Sequence, residues 1–249
     1  MQFNKQYDFQ EISNIPIYFV KTHNLALPIW GEFSKNIRNE KLELITFDYH
    51  TDTHRPFNSY YCSQCSQKEK RNYSLESDYI KRILKNKKYK REDFCFEDVY
   101  ELADKYLRND EQILTAYDFK YIDKYTVICS DELEEQSDLD TSCRQDLAWD
   151  YDARYYTKEY IERMGNIQTF ESIILDFDLD YFCTINCFND KFEKLISNLL
   201  TKTKLITIAI EQNYFESCKK DKFLDLEVVK KRLVKMLIRA VVDPTAARA

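Results

Sequence analysis

Asp48, His50 and Asp52 occupy alternate positions in Asp-Tyr-His-Thr-Asp, directly after the apolar run Leu42 to Phe47. On an extended chain, residues i, i+2 and i+4 project to one side, so two carboxylates and an imidazole are expected to converge. Oxygen and nitrogen donors grouped in this way are metal ligands by type. A second stretch, Phe170 to Phe182, repeats the pattern: Ile173-Ile-Leu-Asp176-Phe-Asp178 reads as an apolar strand delivering two carboxylates, with Asp180 just beyond. His23 follows a β-branched and aromatic run that starts at Pro16, and Glu211 ends another that runs from Leu205 to Ile210.

Each motif alone also has an ordinary reading. Asp and Thr favour turns and helix N-caps, so a single Asp-x-His-x-Asp is equally turn chemistry, and a single Asp-x-Asp says less. Their coincidence says more, because open α/β sheets bind ligands beyond the carboxyl ends of their strands, and all of these residues fall there. The carboxylates at 176, 178 and 180 stand among Ile, Leu, Phe and Tyr. In such surroundings like charges raise one another's pKa unless a cation compensates. Five or six O and N donors exceed the needs of one tetrahedral zinc and suit two manganese-like ions sharing bridging carboxylates. Two ions about 3.5 Å apart would hold a hydroxide as nucleophile at neutral pH.

The elements that must position these groups are legible as hydrophobic patterns. Strands are expected at Pro16 to Val20, Leu42 to Phe47, Tyr125 to Cys129, Ile173 to Asp178 and Leu205 to Ile210. Helices are expected after an Asn24 cap, through Leu25, Ala26, Ile29 and Phe33, and then over Ser74 to Lys87 and Phe96 to Leu107. Three more follow: Thr157 to Met164, with Thr157 as N-cap, then about Asp190 to Thr201 and about Leu226 to Val241. Strands alternating with helices predict an α/β fold, a mostly parallel sheet with helices on both faces. Arg55 to Asn72 and Ser130 to Asp152 read as long loops rimming the site. The 249 residues are expected to form one domain, frayed from about residue 240 onward.

Composition excludes several classes. The 37 basic and 43 acidic residues are interspersed and give a net charge of −6, which argues against a nucleic-acid footprint. With only two glycines there is no glycine-rich phosphate loop. No run of about 18 apolar residues and no apolar leader appears, so neither membrane span nor signal peptide is expected and the cytoplasm is the default. The eight cysteines then read as thiols, with a four-thiolate zinc clamp of Cys62, Cys65, Cys183 and Cys187 as the rival arrangement.

The motifs resemble those of a known family. Asp48-Tyr-His50-Thr-Asp52 is similar to the Asp-Ala-His-Thr-Asp signature of the arginase, or ureohydrolase, superfamily, and Leu175-Asp176-Phe-Asp178 to its second Asp-x-Asp strand. Ile210-Glu211-Gln-Asn213 resembles the Glu-Val-Asn segment whose glutamate grips the substrate guanidinium, and the three come in family order. In style the chain is similar to a small arginase-like branch with a Val-x-x-His-Asn start, here Val20 to Asn24, and a Leu-Asp-x-Asp-Leu-Asp-Phe/Tyr-Phe strand. That branch includes peptide arginases, which convert arginine side chains of ribosomally made peptides to ornithine.

The resemblance implies a three-layer α/β/α arginase-like domain and a hydrolase holding two Mn(2+). It implies that His23, Asp48, Asp52 and Asp176 hold one ion and His50, Asp48, Asp176 and Asp178 the other, with Asp48 and Asp176 bridging. Asp180 is left as a turn or supporting residue. Asp52 and Glu211 count as catalytic, and Glu211 with Asn213 as substrate-binding. His54, the remaining histidine, is either a proton shuttle, a substrate contact or a rim residue with no role. The implied substrate is an arginine side chain in a peptide, held by loops bearing Tyr60, Tyr61, Tyr151, Tyr155 and Tyr156, with urea as product. Two alternatives stand beside it: a zinc amide deacetylase of the same superfold, and a protein that binds metal or a cationic peptide without catalysis. A carboxylate at 211 favours a guanidinium over a neutral acetamide. No nucleic acid or membrane partner is expected, and the oligomeric state is not legible.

Overall fold

Ser172–Asp178 is buried along its whole length, as a strand covered on both faces must be. It is the central strand of a seven-stranded sheet, with three strands on either side. In chain order the strands are β1 (Asp8–Ile12), β2 (Ile15–Val20), β3 (Leu42–Asp48), β4 (Lys124–Cys129), β5 (Ala153–Thr157), β6 (Ser172–Asp178) and β7 (Thr203–Ala209). Across the sheet they run β1-β2-β7-β6-β3-β4-β5. Every pairing is parallel except the β1–β2 hairpin. The chain is therefore α/β with a mostly parallel sheet, as its patterning predicts. The computed structural model describes residues 7–37, 40–50, 52–64, 73–84, 89–129, 153–157 and 167–242.

The chain divides into two compact units. The first, Met1–Thr22, Glu40–Thr51 and Lys124–Ala249, carries the whole sheet. It also carries the helices Asp190–Leu200, Gln212–Cys218 and Leu226–Val242. The second, His23–Asn39 and Asp52–Asp123, has only helices among its described residues: α1 (Leu27–Asn36), α2 (Asn58–Gln64), α3 (Tyr73–Leu84), α4 (Phe96–Tyr106) and α5 (Gln112–Asp118). The helices Asp190–Leu200, Gln212–Cys218 and Leu226–Val242 are α6, α7 and α8 in chain order.

Period-two alternation sorts the strands of the first unit into two faces. Ile17, Phe19, Ile45, Phe47, Ile173, Leu175, Phe177, Ile206 and Ile208 share one apolar core with Phe192, Leu195 and Ile196 of α6 and Val229, Leu233 and Leu237 of α8. Phe47 stacks on Phe177 with centroids 5.2 Å apart. Thr46, Asp48, Asp176, Asp178 and Thr207 come off the opposite face by the same alternation. The apolar side of β3 and β6 thus fixes the direction in which their carboxylates leave the sheet.

The five anticipated strands, and the helices expected at 96–107, 190–201 and 226–241, appear with ends moved by a residue or two, and the helix expected over Ser74 to Lys87 is described as Tyr73–Leu84, while other elements differ. Asn24 does not cap a helix. Its Nδ2 donates to the Ala103 and Leu107 carbonyls at 2.7 and 3.1 Å, tying the turn His23–Ala26 to the end of α4. Tyr60 and Tyr61 lie on α2 rather than in a loop, and Tyr61 is buried. Tyr155 and Tyr156 belong to β5, and Thr157 ends that strand instead of capping a helix. The expected loop over 130–152, the helix over 158–164, Tyr151, Cys65 and the tail over 243–249 lie outside the described residues.

Candidate metal centre

β3 ends at Asp48, so the alternation that suggests convergence of Asp48, His50 and Asp52 does not carry through all three. Asp48 is buried, and its Oδ1 accepts the His50 backbone N–H at 2.7 Å. On the neighbouring strand Asp178 is also buried and accepts the Asp180 N–H at 3.2 Å as that residue enters the turn Leu179–Tyr181. Asp48 and Asp178 each offer a carboxylate oxygen within 4.8 Å of the other. Both stand at carboxyl ends of adjacent parallel strands, one step beyond the registered pair Phe47↔Phe177.

The turn after β6 swings Asp180 towards the segment after β3. Its carboxylate is 1% exposed, accepts the Tyr49 N–H at 3.2 Å and lies 3.3 Å from His50 Nδ1. His50 Nδ1 is 3.9 Å from Asp48, and its ring meets Tyr214 edge-on at 6.3 Å. Cys218, the last residue of α7, joins this group: one donor atom each of His50, Asp180 and Cys218 lies within 4.8 Å of the others. Burial, followed by the charge of Asp180, pushes the Cys218 thiol up to about 12.

Asp176 is not brought to this group. It sits one alternation earlier in β6, in register with Thr46 on one side and Thr207 on the other. Thr46 donates to its Oδ2 at 2.7 Å and Thr207 to its Oδ1. Both oxygens of this fully buried carboxylate are thus engaged by hydroxyls within the sheet. The ligands expected at 176 and 178 are, by position, better matched by 178 and 180.

In the helical unit, His23 and Asp52 meet. His23 is fully buried, with Nδ1 2.8 Å from Asp52 Oδ2 and its ring edge-on to Trp30 at 6.4 Å. Gln112 Nε2 donates to the same Asp52 oxygen at 2.8 Å. Asp52 takes φ 47°, a left-handed conformation uncommon outside glycine, so the backbone there is held by its surroundings. Three consecutive residues do that holding. Asp110 accepts the His54 N–H through its carbonyl at 2.8 Å and pairs with His54 Nδ1 through its carboxylate at 3.0 Å. Glu111 accepts the N–H groups of Phe57 and Ser59 at 3.2 and 2.7 Å, and Gln112 holds Asp52. Burial pushes the Glu111 carboxyl above its usual range. The hydrogen bond that the His54 ring donates to the Asp110 carboxylate holds the imidazole above its ordinary value. Asp110, Glu111 and Gln112 were not legible as site residues, since nothing local to Asn-Asp-Glu-Gln distinguishes them from a helix start.

Glu211 lies just past β7, where Ile210 N–H still bonds to the Val20 carbonyl at 2.8 Å. It is 6% exposed, and although it immediately precedes α7 its side chain does not cap that helix. Asn213 is exposed on α7. Cys183 and Cys187 are buried thiols, Cys187 donating to the Tyr181 carbonyl at 3.7 Å. Among the described residues neither belongs to a group with metal-ligand spacing. Among the described residues no helix is long and apolar enough to cross a membrane. No known family model matches the chain, and no curated protein matches it.

Proposed function

We propose that the chain is an arginase-like guanidine hydrolase that converts the arginine side chain of a peptide to ornithine and urea. The observation that carries this reading is the meeting of Asp48 with Asp178, and of His50 with Asp180, at the carboxyl ends of neighbouring strands β3 and β6. Three buried carboxylates together are costly unless a cation offsets them, and the donors are oxygens and imidazole nitrogens that suit divalent ions. The family pairing, moved two residues along the second motif, assigns His23 and Asp52 to one ion. It assigns Asp48, His50, Asp178 and Asp180 to the other. Manganese is the occupant that the family resemblance implies for the pair. When bound, such a pair supplies the activation of water at neutral pH.

The chain's own groups account for the rest of the reaction. Addition of water at the guanidinium carbon and cleavage of its bond to the side-chain nitrogen leave a primary amine and urea, and the departing nitrogen must gain a proton. Glu211 is the group to bind and orient the guanidinium, because a buried carboxylate forms charge-assisted, bidentate bonds with it. A neutral acetamide would leave that charge unmatched, which sets the deacetylase reading behind this one. His54, half-exposed and held by Asp110, is suited to carrying the proton. The thiols at the six described cysteines fit a reducing compartment, so the cytoplasm is the proposed setting.

The test is metal analysis of the purified chain together with urea release from an arginine-containing peptide, free arginine and an acetyl-lysine peptide. Two divalent ions per chain and urea from the peptide are expected. Acetate release without urea, or metal with neither product, would replace this reading by one of its rivals.

A further inference from the structure

Cys218 stands with two of the residues just assigned to the second ion, although the motifs of that reading contain no thiol. It is the last residue of α7, the helix that begins directly after Glu211. Its thiol is half-buried, with Ser217 Oγ 3.8 Å away, and it shares a 4.8 Å neighbourhood with donor atoms of His50 and Asp180. In a tetrahedral zinc site, bonds of about 2.0–2.1 Å to N or O and about 2.3 Å to S put donors roughly 3.3–3.6 Å apart. A closure of about 1 Å, within reach of side-chain rotation, completes that geometry. The buried Asp180 carboxylate, held by the Tyr49 N–H, gives the group a fixed side.

We infer that Cys218 is a further chain ligand of the second ion, beside the four residues already assigned to it, and that this position selects zinc over manganese. Imidazole, carboxylate and thiolate form the mixed N, O, S set that suits a borderline ion, whereas manganese favours oxygen and gains little from sulfur. The position held by His23 and Asp52 has no such thiol among its proposed ligands, so the two positions differ in metal preference. The inference rests on the function proposed above only in sharing His50 and Asp180. It refines the metal identity of one position.

The experiment is titration of the metal-free full-length chain with cobalt(II), an optical stand-in for zinc, followed by zinc and manganese competition. A near-ultraviolet thiolate-to-cobalt charge-transfer band is expected in the parent and in Cys129→Ser, whose sulfur lies 3.7 Å from the His50 carbonyl, and is expected to vanish in Cys218→Ser. Zinc affinity should fall in Cys218→Ser by at least the roughly 10–100-fold that loss of a supporting partner costs, with manganese affinity changed by less than about threefold. No band in the parent, a band surviving in Cys218→Ser, or equal weakening of both metals would overturn the inference. The circular dichroism of metal-free Cys218→Ser, matching the parent, separates lost ligation from lost folding. Because the band needs no turnover, it can appear while urea release fails, or be absent while urea is released.

Discussion

His50 Nδ1 lies 3.3 Å from the Asp180 carboxylate, while Asp176, four residues earlier, gives its oxygens to Thr46 and Thr207. Two aspartates of one motif therefore have different partners. Asp180→Asn should lower metal stoichiometry and abolish urea release with little effect on the metal-free melting temperature. Asp176→Asn should keep its metal and instead lose about 1–3 kcal/mol of stability, the cost of disturbing buried hydrogen-bonded groups. Metal content beside chemical denaturation separates the two, and the reverse pattern would return the ligand role to Asp176.

Gln112 and His23 converge on one oxygen of Asp52, each at 2.8 Å. An amide that orients a ligating carboxylate acts on metal affinity without touching the ion. Gln112→Ala should weaken the ion assigned to His23 and Asp52 about 10–100-fold, as removal of outer partners does elsewhere, and leave substrate KM nearly unchanged. Competition with a chelator of known affinity measures it. An unchanged affinity would make Gln112 a packing residue only.

His54 is held above its ordinary value of 6.5 chiefly by its hydrogen bond with Asp110. A histidine whose pKa is higher folded than unfolded adds stability that is full below the unfolded value and is lost as pH rises through the folded value. Asp110→Asn should therefore lower the imidazole pKa seen by NMR titration. Its destabilisation relative to the parent should be largest below about pH 6.5 and fade as pH climbs past the parent's folded value. A stability difference that grows with pH would contradict this assignment.

The sequence carried the strands well because a fully buried parallel strand is a continuous apolar run, as in Leu42 to Phe47 and Ile173 to Leu175. It carried the site less evenly. Asp176, Asp178 and Asp180 are indistinguishable as an alternating triplet, and what separates them is where β6 stops and which hydroxyls flank it. The flanking hydroxyls are those of Thr46 and Thr207, 130 and 31 residues from Asp176. The edge strand β1 is exposed and lacks alternation, yet the turn after it had a signal: Ser13 and Asn14 take φ 48° and 68°, the left-handed pair of a tight hairpin. Asp52 closes the first motif and His54 stands two residues beyond it, but their positions come from Asp110, Glu111 and Gln112, whose roles exist only in the folded chain.

Glu211 separates a guanidine hydrolase from its rivals. As a surface cap it would be exposed and bonded to the first N–H groups of α7. Instead it is 6% exposed, makes no capping bond and lies just past β7, the strand beside β6 with its aspartates. Glu211→Gln keeps the shape and the hydrogen-bonding capacity and deletes the charge. Loss of a charge-assisted pair in a desolvated site costs about 2–5 kcal/mol, which is roughly 30-fold to several-thousand-fold in kcat/KM. Urea release from an arginine peptide should fall by that factor, with metal stoichiometry and melting temperature close to the parent's. Activity within about threefold of the parent would remove Glu211 from substrate binding. Lost metal would make it a ligand instead, and either result would take away the feature that ranks a guanidinium above an acetamide as the substrate.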